Sequence, residues 1–186
     1  MVNYSTRANN YAILFSMKNR KISRYAFGLL SSALIIGAII YIYYAVYCER
    51  CPVFRIYFMK EASVSAVDRQ LRPDEDPIKK AFDELLAGPR LNEQAKGYTS
   101  LIPQGTKLIS SRIEKKVAII NLNNKLEEYG GGATHVRGMI AQIVYTATGL
   151  QGVEKAWIWV EGKKSVVLGG EGLVLDKPLT REDTGY

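Results

Sequence analysis

The sequence predicts an α+β protein, in which a two-layer domain with two helices on one face of a mostly antiparallel sheet follows one N-terminal transmembrane helix. Three observations predict this fold class. Residues 27–47 carry no charge at all. After them, short segments that alternate like strands are interspersed with two segments whose apolar residues recur at helical spacing. Each of these helical segments stops at a glycine, as helices commonly do.

The uncharged segment is a predicted membrane span. At about 1.5 Å per residue, residues 27–47 extend roughly 31 Å as a helix, close to the hydrocarbon thickness of a bilayer. Tyrosines flank both ends, and four cations between Lys18 and Arg24 precede it, so the positive-inside rule places the N-terminus in the cytoplasm. The predicted organisation is a basic cytoplasmic tail (1–25), a transmembrane anchor in the lipid bilayer (26–48) and an extracytoplasmic domain (53–186), in the periplasm or an equivalent space.

Cys48 follows this span, and the sequence leaves open both its chemical state and whether the span is cleaved. It is a candidate lipidation site if the segment is processed, although the residue before such a cysteine is normally small and here it is Tyr47. With Cys51 it forms a C-x-x-C pair, for which a structural disulfide or idle thiols are favoured over redox catalysis, because Pro52 and a strand follow rather than a helix. The length of the apolar segment favours an anchor that is not cleaved.

The charge distribution argues against nucleic-acid binding. The chain has 25 Lys and Arg against 18 Asp and Glu, a net charge of +7. Five of the basic residues and no acidic residue lie in residues 1–25. Residues 49–186 therefore contain 20 basic and 18 acidic residues. A nearly neutral domain lacks the basic excess that phosphate backbones require. The single His and the two Cys also cannot supply a four-ligand zinc site, so we expect no metal and no cofactor.

The first half of the domain predicts a strand, a possible hairpin and a helix. Val53 to Met59 is rich in aromatic and β-branched residues and is predicted to be a strand. Apolar and polar residues alternate weakly over residues 64–71, and we expect this segment to pair with the strand as a hairpin. Asp76 is a natural N-cap and Pro77 suits the first helical position. We expect this helix to end at Gly88-Pro89, because proline cannot continue the hydrogen-bond ladder.

The second half predicts a hairpin, a second helix and a further hairpin. Residues 90–106 have loop composition, and Pro103 and Gly105 place a turn before two alternating strands over 107–114 and 117–122. The second helix is expected from an N-cap at Thr134 to Gly149. We expect residues 156–160 and 165–168 to pair as a last hairpin, and residues 169–186 to be irregular.

The second helix carries a second face that we expect to pack against another segment. Gln142 and Tyr145 point away from its apolar stripe, next to small residues. We predict that the C-terminal segment with Pro178 and Leu179 packs there, with Arg181 held by a carboxylate or by helix carbonyls. The same face could instead receive a neighbouring subunit.

A triple glycine, Gly130-Gly131-Gly132, precedes this helix. Exposed N–H groups at a helix start attract anions. The residues that follow are Ala133, Thr134 and His135, and these match neither a P-loop nor a dinucleotide fingerprint. A hinge is the favoured interpretation. The sequence also lacks a Gly-x-Ser-x-Gly nucleophile motif, and we expect no enzymatic activity.

Several segments together resemble the GerMN domain of sporulation and spore germination proteins. The resemblance covers roughly residues 53–183, and its motifs occur in the family's order. The segments that carry it are Ala81-Phe82-Asp83-Glu84-Leu85-Leu86-Ala87-Gly88-Pro89, Ile102-Pro103-Gln104-Gly105-Thr106-Lys107-Leu108, Gly130-Gly131-Gly132, Ala141-Gln142-Ile143-Val144-Tyr145-Thr146-Ala147-Thr148 and Pro178-Leu179-Thr180-Arg181-Glu182-Asp183.

This resemblance implies an αββαβ core similar to the ring-building motif of secretion-system proteins, attached to the outer face of a bacterial membrane. It implies a role in assembly or scaffolding, with envelope proteins or self-association as partners and no established catalysis. A binding module for a cell-wall fragment or small ligand, using the loop at Gly130, is the alternative function. The candidate interaction or motif residues are Gly88, Pro89, Pro103, Gly105, Gly130, Gly131, Gly132, Gln142, Tyr145, Pro178, Leu179 and Arg181.

Overall fold

The computed structural model describes residues 32–44, 52–168 and 173–186. The chain divides into two compact units, Met1–Arg50 and Cys51–Tyr186. In the first unit, residues 32–44 form one helix, α1, whose large apolar side chains are exposed. Within the described ranges, no helix combines the length and the apolar character needed to cross a membrane. The predicted tail, both ends of the predicted anchor and Cys48 lie outside the described residues.

The second unit alternates strands and helices. Its described elements, in chain order, are β1 (Val53–Lys60), β2 (Ser63–Gln70), α2 (Pro77–Ala87), α3 (Leu91–Gln94), β3 (Leu108–Glu114), β4 (Val117–Leu122), a 3-10 helix (Asn124–Glu127), α4 (Ala133–Thr148), β5 (Lys155–Val160), β6 (Val166–Leu168), β7 (Leu173–Leu175) and a second 3-10 helix (Glu182–Thr184). The mixed α+β class predicted from the sequence is confirmed, and α2, β3, β4, α4 and β5 follow one another in αββαβ order.

The described strands form three separate sheets rather than one. β1 and β2 are an antiparallel hairpin in continuous register from Val53 opposite Gln70 to Lys60 opposite Ser63. This hairpin packs against both long helices of the domain. The predicted pairing of these two segments is confirmed, and the tight turn between them uses positive φ angles at Glu61 and Ala62.

The central sheet has the strand order β3-β4-β5. β3 and β4 are antiparallel, as predicted, whereas β4 and β5 are parallel. The expectation of a mostly antiparallel sheet is therefore wrong for this pair. The reason is that α4 lies between β4 and β5 in the chain, and a helical crossover returns the second strand in the same direction.

The predicted hairpin between residues 156–160 and 165–168 is also wrong. β6 pairs with β7, and the tail expected to be irregular contains that strand. The outer edge of β5 is occupied by the C-terminal segment instead, because Ala156 and Leu179 exchange backbone hydrogen bonds of 2.9 and 2.7 Å. Only a bridge from Val160 to Lys163 remains of the predicted pairing.

The two long helices begin differently. The side chain of Asp76 accepts hydrogen bonds from the N–H groups of Ile78 and Lys79, so the predicted cap of α2 is confirmed. α4 begins at Ala133 with Gly132 as its N-cap. The predicted cap at Thr134 is wrong because that residue is already in the first helical turn.

One hydrophobic core joins the helices, the central sheet and β1. α2 and α4 pack against one face of the central sheet, through the side chains of Ala118, Ile120 and Leu122 on β4 and their neighbours on β5. The side chains of Ile119 and Trp157 alternate with these and lie on the opposite face, which we call the outer face. The fold therefore leaves this face directed away from the helices.

Candidate protein-contact surface

The second face of α4 is used inside the domain. Gln142 is 0 % exposed, and its Oε1 accepts a hydrogen bond of 3.1 Å from the N–H of Leu101. Its Nε2 has no partner among the described residues. The amide thus ties the loop before β3 to the helix. The face of α4 that carries Gln142 therefore packs against another segment of the chain, as expected, and this side chain is buried in that contact.

Small residues on this face let other segments approach closely. A Cβ on Gly138 would lie 2.6 Å from Cδ1 of Leu101 and 3.0 Å from Oη of Tyr186. A Cβ on Gly149 would lie 3.1 Å from the ring of Tyr57 and 3.3 Å from the carbonyl of Arg55. The absence of side chains at these positions makes room for the loop, the C-terminus and β1.

Arg181 fixes the C-terminal segment on α4. Its Nε donates to Oγ1 of Thr148 over 2.8 Å, and Nη2 donates to the carbonyl of Tyr145 over 3.4 Å. The guanidinium also stacks on the rings of Tyr57 and Tyr145, with centroid distances of 5.2 and 4.7 Å. The predicted anchoring of Arg181 on α4 is confirmed, with a helix carbonyl, a hydroxyl and two aromatic rings as the anchor. No carboxylate among the described residues pairs with Arg181, and Pro178, which was expected on the same face, lines the outer face instead.

The neighbours of Arg181 reinforce this arrangement. The hydroxyl of Tyr145 donates a hydrogen bond of 2.5 Å to the backbone oxygen of Tyr186. The N–H and the hydroxyl of Thr180 both donate to Oδ2 of Asp183 over 2.7 Å, and the backbone hydrogen bond is the main cause of the lowered pKa of Asp183. Tyr145 and Arg181 therefore contact each other, and both stabilise the packing of the C-terminal segment on α4.

The remaining predicted motif residues shape turns. Gly88 ends α2 with φ of 82°, and Gly105 makes the turn before β3 with φ of 89°. The carbonyl of Pro103 accepts the hydroxyl of Thr106, and the carbonyl of Pro89 accepts Nε2 of Gln94. These residues lie in two different loops and do not converge on one site.

The triple glycine leads into α4. Gly131 has φ of 91°, and a Cβ there would lie 2.9 Å from Cβ of His135. Nε2 of His135 lies 3.2 Å from the carbonyl of Leu101. The imidazole is therefore engaged with the same loop that Gln142 holds. Among the described residues, no group of three His, Cys, Asp or Glu side chains could hold a metal ion.

The outer face of the central sheet brings together residues that were not predicted as a site. Trp157 and Trp159 on β5 contact each other edge to face, with centroids 5.5 Å apart. The register places Ile119 beside Trp157 and Arg112 beside Ile119. The guanidinium of Arg112 lies 4.9 Å from the ring of Trp159. In the sequence, Trp157 and Trp159 alternate with Ala156, Ile158 and Val160, and this alternation indicates that the two tryptophans lie on the face of β5 opposite the core.

A groove of about 510 Å³ runs beside Trp157 on this face. Ile119, which is 5 % exposed, lies at its base. Pro178 of the C-terminal segment also lines it, so Pro178 is the one predicted motif residue that reaches this surface. The full lining is Glu114, Lys115, Val117, Ile119, Trp157 and Pro178.

Cations dominate the surroundings of the tryptophans. Arg112 pairs with Glu114, but both side chains are about half exposed. Nζ of Lys164 lies 5.3 Å from the ring of Trp159, and its backbone carbonyl accepts Nε1 of Trp157 over 3.2 Å. Within the described residues, Lys164 and Lys115 form no ion pair. The outer face therefore combines an apolar groove with unpaired positive charge.

A buried ion-pair network stabilises the part of the domain where β2, α2 and α3 meet. Arg69 is 4 % exposed and binds both oxygens of Glu93, over 2.6 and 2.8 Å, and Oε2 of Glu84 over 2.9 Å. The hydrogen bonds from Arg69 are the main cause of the lowered pKa of Glu93. This network connects β2 to α2 and α3, and no local sequence pattern predicts it because its members are 15 and 24 residues apart in the chain.

The family model described as Germane, sporulation and spore germination, matches residues 55–166, more than half of the chain. The chain belongs to the Germane family. The predicted resemblance to GerMN domains is thereby confirmed, and no curated protein matches the chain.

Three solved structures share the fold of this Germane domain. A candidate lipoprotein from Clostridium perfringens is 26 % identical with a TM-score of 0.52, over 72 % of this chain and 89 % of that one. The first GerMN domain of the Bacillus subtilis sporulation protein GerM is 20 % identical with a TM-score of 0.58, over 71 % and 99 %. The tandem GerMN domains of GerM are 21 % identical with a TM-score of 0.55, over 70 % of this chain and 45 % of that one.

Proposed function

We propose that this protein is anchored in a bacterial membrane by its N-terminal segment and presents its Germane domain outside the cell membrane. There it acts as an assembly or scaffold domain through protein–protein contact, without catalysis, in an envelope complex of the kind that serves sporulation or germination. The observation that carries this proposal is the outer face of the central sheet. It presents Trp157, Trp159 and Arg112 on the side opposite the helices.

Residue types support the contact role. Tryptophan and arginine are the side chains most enriched among residues that dominate binding energy at protein interfaces. A face used only for solvation would not need two tryptophans, since each has a large apolar surface. Neighbouring cations with no carboxylate partner add electrostatic complementarity to an acidic partner.

Three observations support the anchor. Residues 27–47 contain no charge, and the large apolar side chains of α1 are exposed, as expected of a helix that contacts lipid. One structural neighbour is a candidate lipoprotein. The positively charged tail before the segment favours a cytoplasmic N-terminus. A single-pass anchor and acylation at Cys48 are two ways of reaching the same location.

The order α2, β3, β4, α4 and β5 also favours lateral assembly of a ring-building-motif type. Proteins held at one membrane share a small volume, so their effective concentration is high and weak contacts suffice for assembly. We therefore expect self-association, or contact with another envelope protein, to depend on the anchor. The isolated domain need not form a stable oligomer for this mechanism to operate.

The experiment that tests the contact role is site-specific photocrosslinking in cells. A photoreactive residue replaces Ser110, which lies on β3 opposite Asn121 and at the border of the outer face. The control replaces Leu91, which is 84 % exposed on α3. We expect a discrete protein adduct from position 110 and none from position 91. Equal labelling from both positions, or no protein adduct at all, would refute the proposal.

The groove beside Trp157 favours one second function, a binding module for a cell-wall fragment. Grooves of about 300–1,000 Å³ with apolar walls are the usual size of small-ligand sites, and tryptophan faces also bind sugar rings. Sedimentation of the protein with purified peptidoglycan tests this function. Retention that depends on Trp157 would favour it over protein contact.

A further inference from the structure

We propose that the outer face binds an acidic peptide segment of a partner protein, with one large apolar side chain seated in the groove beside Trp157. This inference rests on the proposed function and specifies the chemistry of its partner. The surface concerned is defined by Arg112, Ile119, Trp157 and Lys164, together with the groove that extends to Pro178.

The groove supplies the apolar half of the recognition. Ile119, Trp157 and Pro178 line it, and they come from β4, β5 and the C-terminal segment, which are successive neighbours across the sheet. Neither Trp157 nor Pro178 can move away freely, because Trp157 donates its indole N–H to the carbonyl of Lys164 and the residue after Pro178 is hydrogen-bonded to Ala156. A preformed apolar groove binds a side chain without paying an ordering cost first.

The rim supplies the charged half. Lys115 lines the groove, and Lys164 lies over Trp159, and within the described residues neither ammonium group has a carboxylate partner. Arg112 stays close to the same ring while pairing with an exposed carboxylate. The one carboxylate in the lining, Glu114, is paired with Arg112, so Lys115 on the groove and Lys164 beside it remain complementary to a segment that carries carboxylates next to an apolar residue.

The same features favour a peptide over a polyanion. Nucleic acids and anionic lipid surfaces are bound mainly by extended basic faces, whereas here the groove is apolar and the exported part of the chain is nearly neutral. Tryptophan, arginine and an apolar centre with charges at the border are the composition of protein interfaces. We therefore assign the site to an acidic peptide, and treat glycans and lipids as outcomes of the test.

The test uses the full chain in lipid nanodiscs and a displayed library of random 12-residue peptides as the probe. We expect enriched peptides to carry net negative charge and one large apolar residue. Their affinity should fall at least about tenfold with Trp157→Ala, as at an interface hot spot, and should weaken as salt is raised. Leu91→Ala, a matched exposed apolar position, should leave affinity unchanged.

A double variant, Lys115→Glu with Lys164→Glu, guards against misfolding of the tryptophan variant, because both lysines are exposed. It should reverse the charge preference of the selected peptides. Neutral or basic peptides, no enrichment, or affinity that survives Trp157→Ala would overturn the inference. Complete competition by peptidoglycan or by phosphatidylglycerol vesicles would also overturn it, in favour of a glycan or a lipid.

The two proposals can fail separately. If the peptide selection fails while the crosslink from position 110 persists in cells, the face contacts a protein of different chemistry and only this inference is wrong. If both fail, the outer face is not a protein-contact surface.

Discussion

The guanidinium of Arg181 stacks on the ring of Tyr145, 4.7 Å from its centroid, and donates to the carbonyl of the same residue. One residue of the C-terminal segment thus caps the exposed side of α4 and closes the domain. This contact joins residues that are far apart in the chain, and it explains why the last residues after Pro178 are ordered on the helix rather than free in solvent.

Arg181→Ala should destabilise the domain by about 1–3 kcal/mol, because it removes a cation–π stack and a hydrogen bond to Thr148. Denaturant unfolding of the full chain in detergent micelles measures this loss. Arg181→Lys should recover only part of it, since an ammonium group cannot reproduce the planar stack together with two hydrogen bonds. An alanine variant as stable as the wild type would show that the C-terminal segment does not depend on this anchor.

Glu93→Gln should destabilise the domain by about 3–5 kcal/mol, the usual effect of breaking a buried ion pair, because Arg69 then keeps a buried charge without its main partner. Chemical denaturation at neutral pH measures the difference. The control is Asp83→Asn, which removes an exposed pair with Lys79 and should change stability by less than about 1 kcal/mol. Equal effects of the two variants would contradict the structural role of the buried network.

The lowered pKa of Glu93 predicts that the free energy of unfolding depends on pH. The pKa of Glu93 is lower in the folded protein than in the unfolded chain, where it is about 4.3. Its contribution to stability is therefore fully present above about pH 4.3 and is lost as the pH falls through the folded pKa. Unfolding free energies measured from pH 6 downward should decline less steeply in Glu93→Gln than in the wild type. Parallel curves would show that this group does not titrate as described.

Gly149→Ala should destabilise the domain by about 1–2 kcal/mol. The new Cβ would lie 3.1 Å from the carbonyl of Tyr145 and 3.3 Å from the carbonyl of Arg55, and backbone atoms cannot yield easily. Thermal unfolding checks this prediction. Gly130→Ala is the matched control, because a Cβ there meets nothing within 4 Å. A neutral Gly149 variant would mean that α4 and β1 are less closely packed than described.

The elements with strong local signals were predictable. Asp76-Pro77 and Gly88 specify both ends of α2 through capping chemistry that needs no tertiary information. The β3–β4 hairpin follows from alternation around Lys115 and Lys116, whose φ angles of 48° and 68° make the tight turn.

Features set by tertiary contacts were not predictable. Alternation shows that β5 is a strand but carries no information about its direction, so its parallel pairing with β4 was missed. Gln142 was expected on a face that packs against another segment, but its hydrogen bond to the loop at Leu101 is set by the tertiary fold and has no local signal in the sequence. The outer face was missed because Trp157 and Trp159 become a surface only when β3 and β4 place Arg112 and Ile119 beside them.

Membrane topology is a separate prediction. If the positive charges before residue 27 hold the N-terminus inside, as we propose, a C-terminal epitope tag after Tyr186 should be removed by protease added to intact spheroplasts. An N-terminal tag should be protected until the membrane is dissolved. Protection of the C-terminal tag would place the domain in the cytoplasm and refute the proposed location.

We infer that this domain contacts another protein through the outer face of the central sheet. The most direct measurement is the yield of the in-cell crosslink from position 110 in chains that also carry Trp157→Ala or Leu91→Ala, compared at equal expression. We predict that the adduct disappears with Trp157→Ala and is unchanged with Leu91→Ala. An adduct of undiminished yield in the tryptophan variant would contradict the claim.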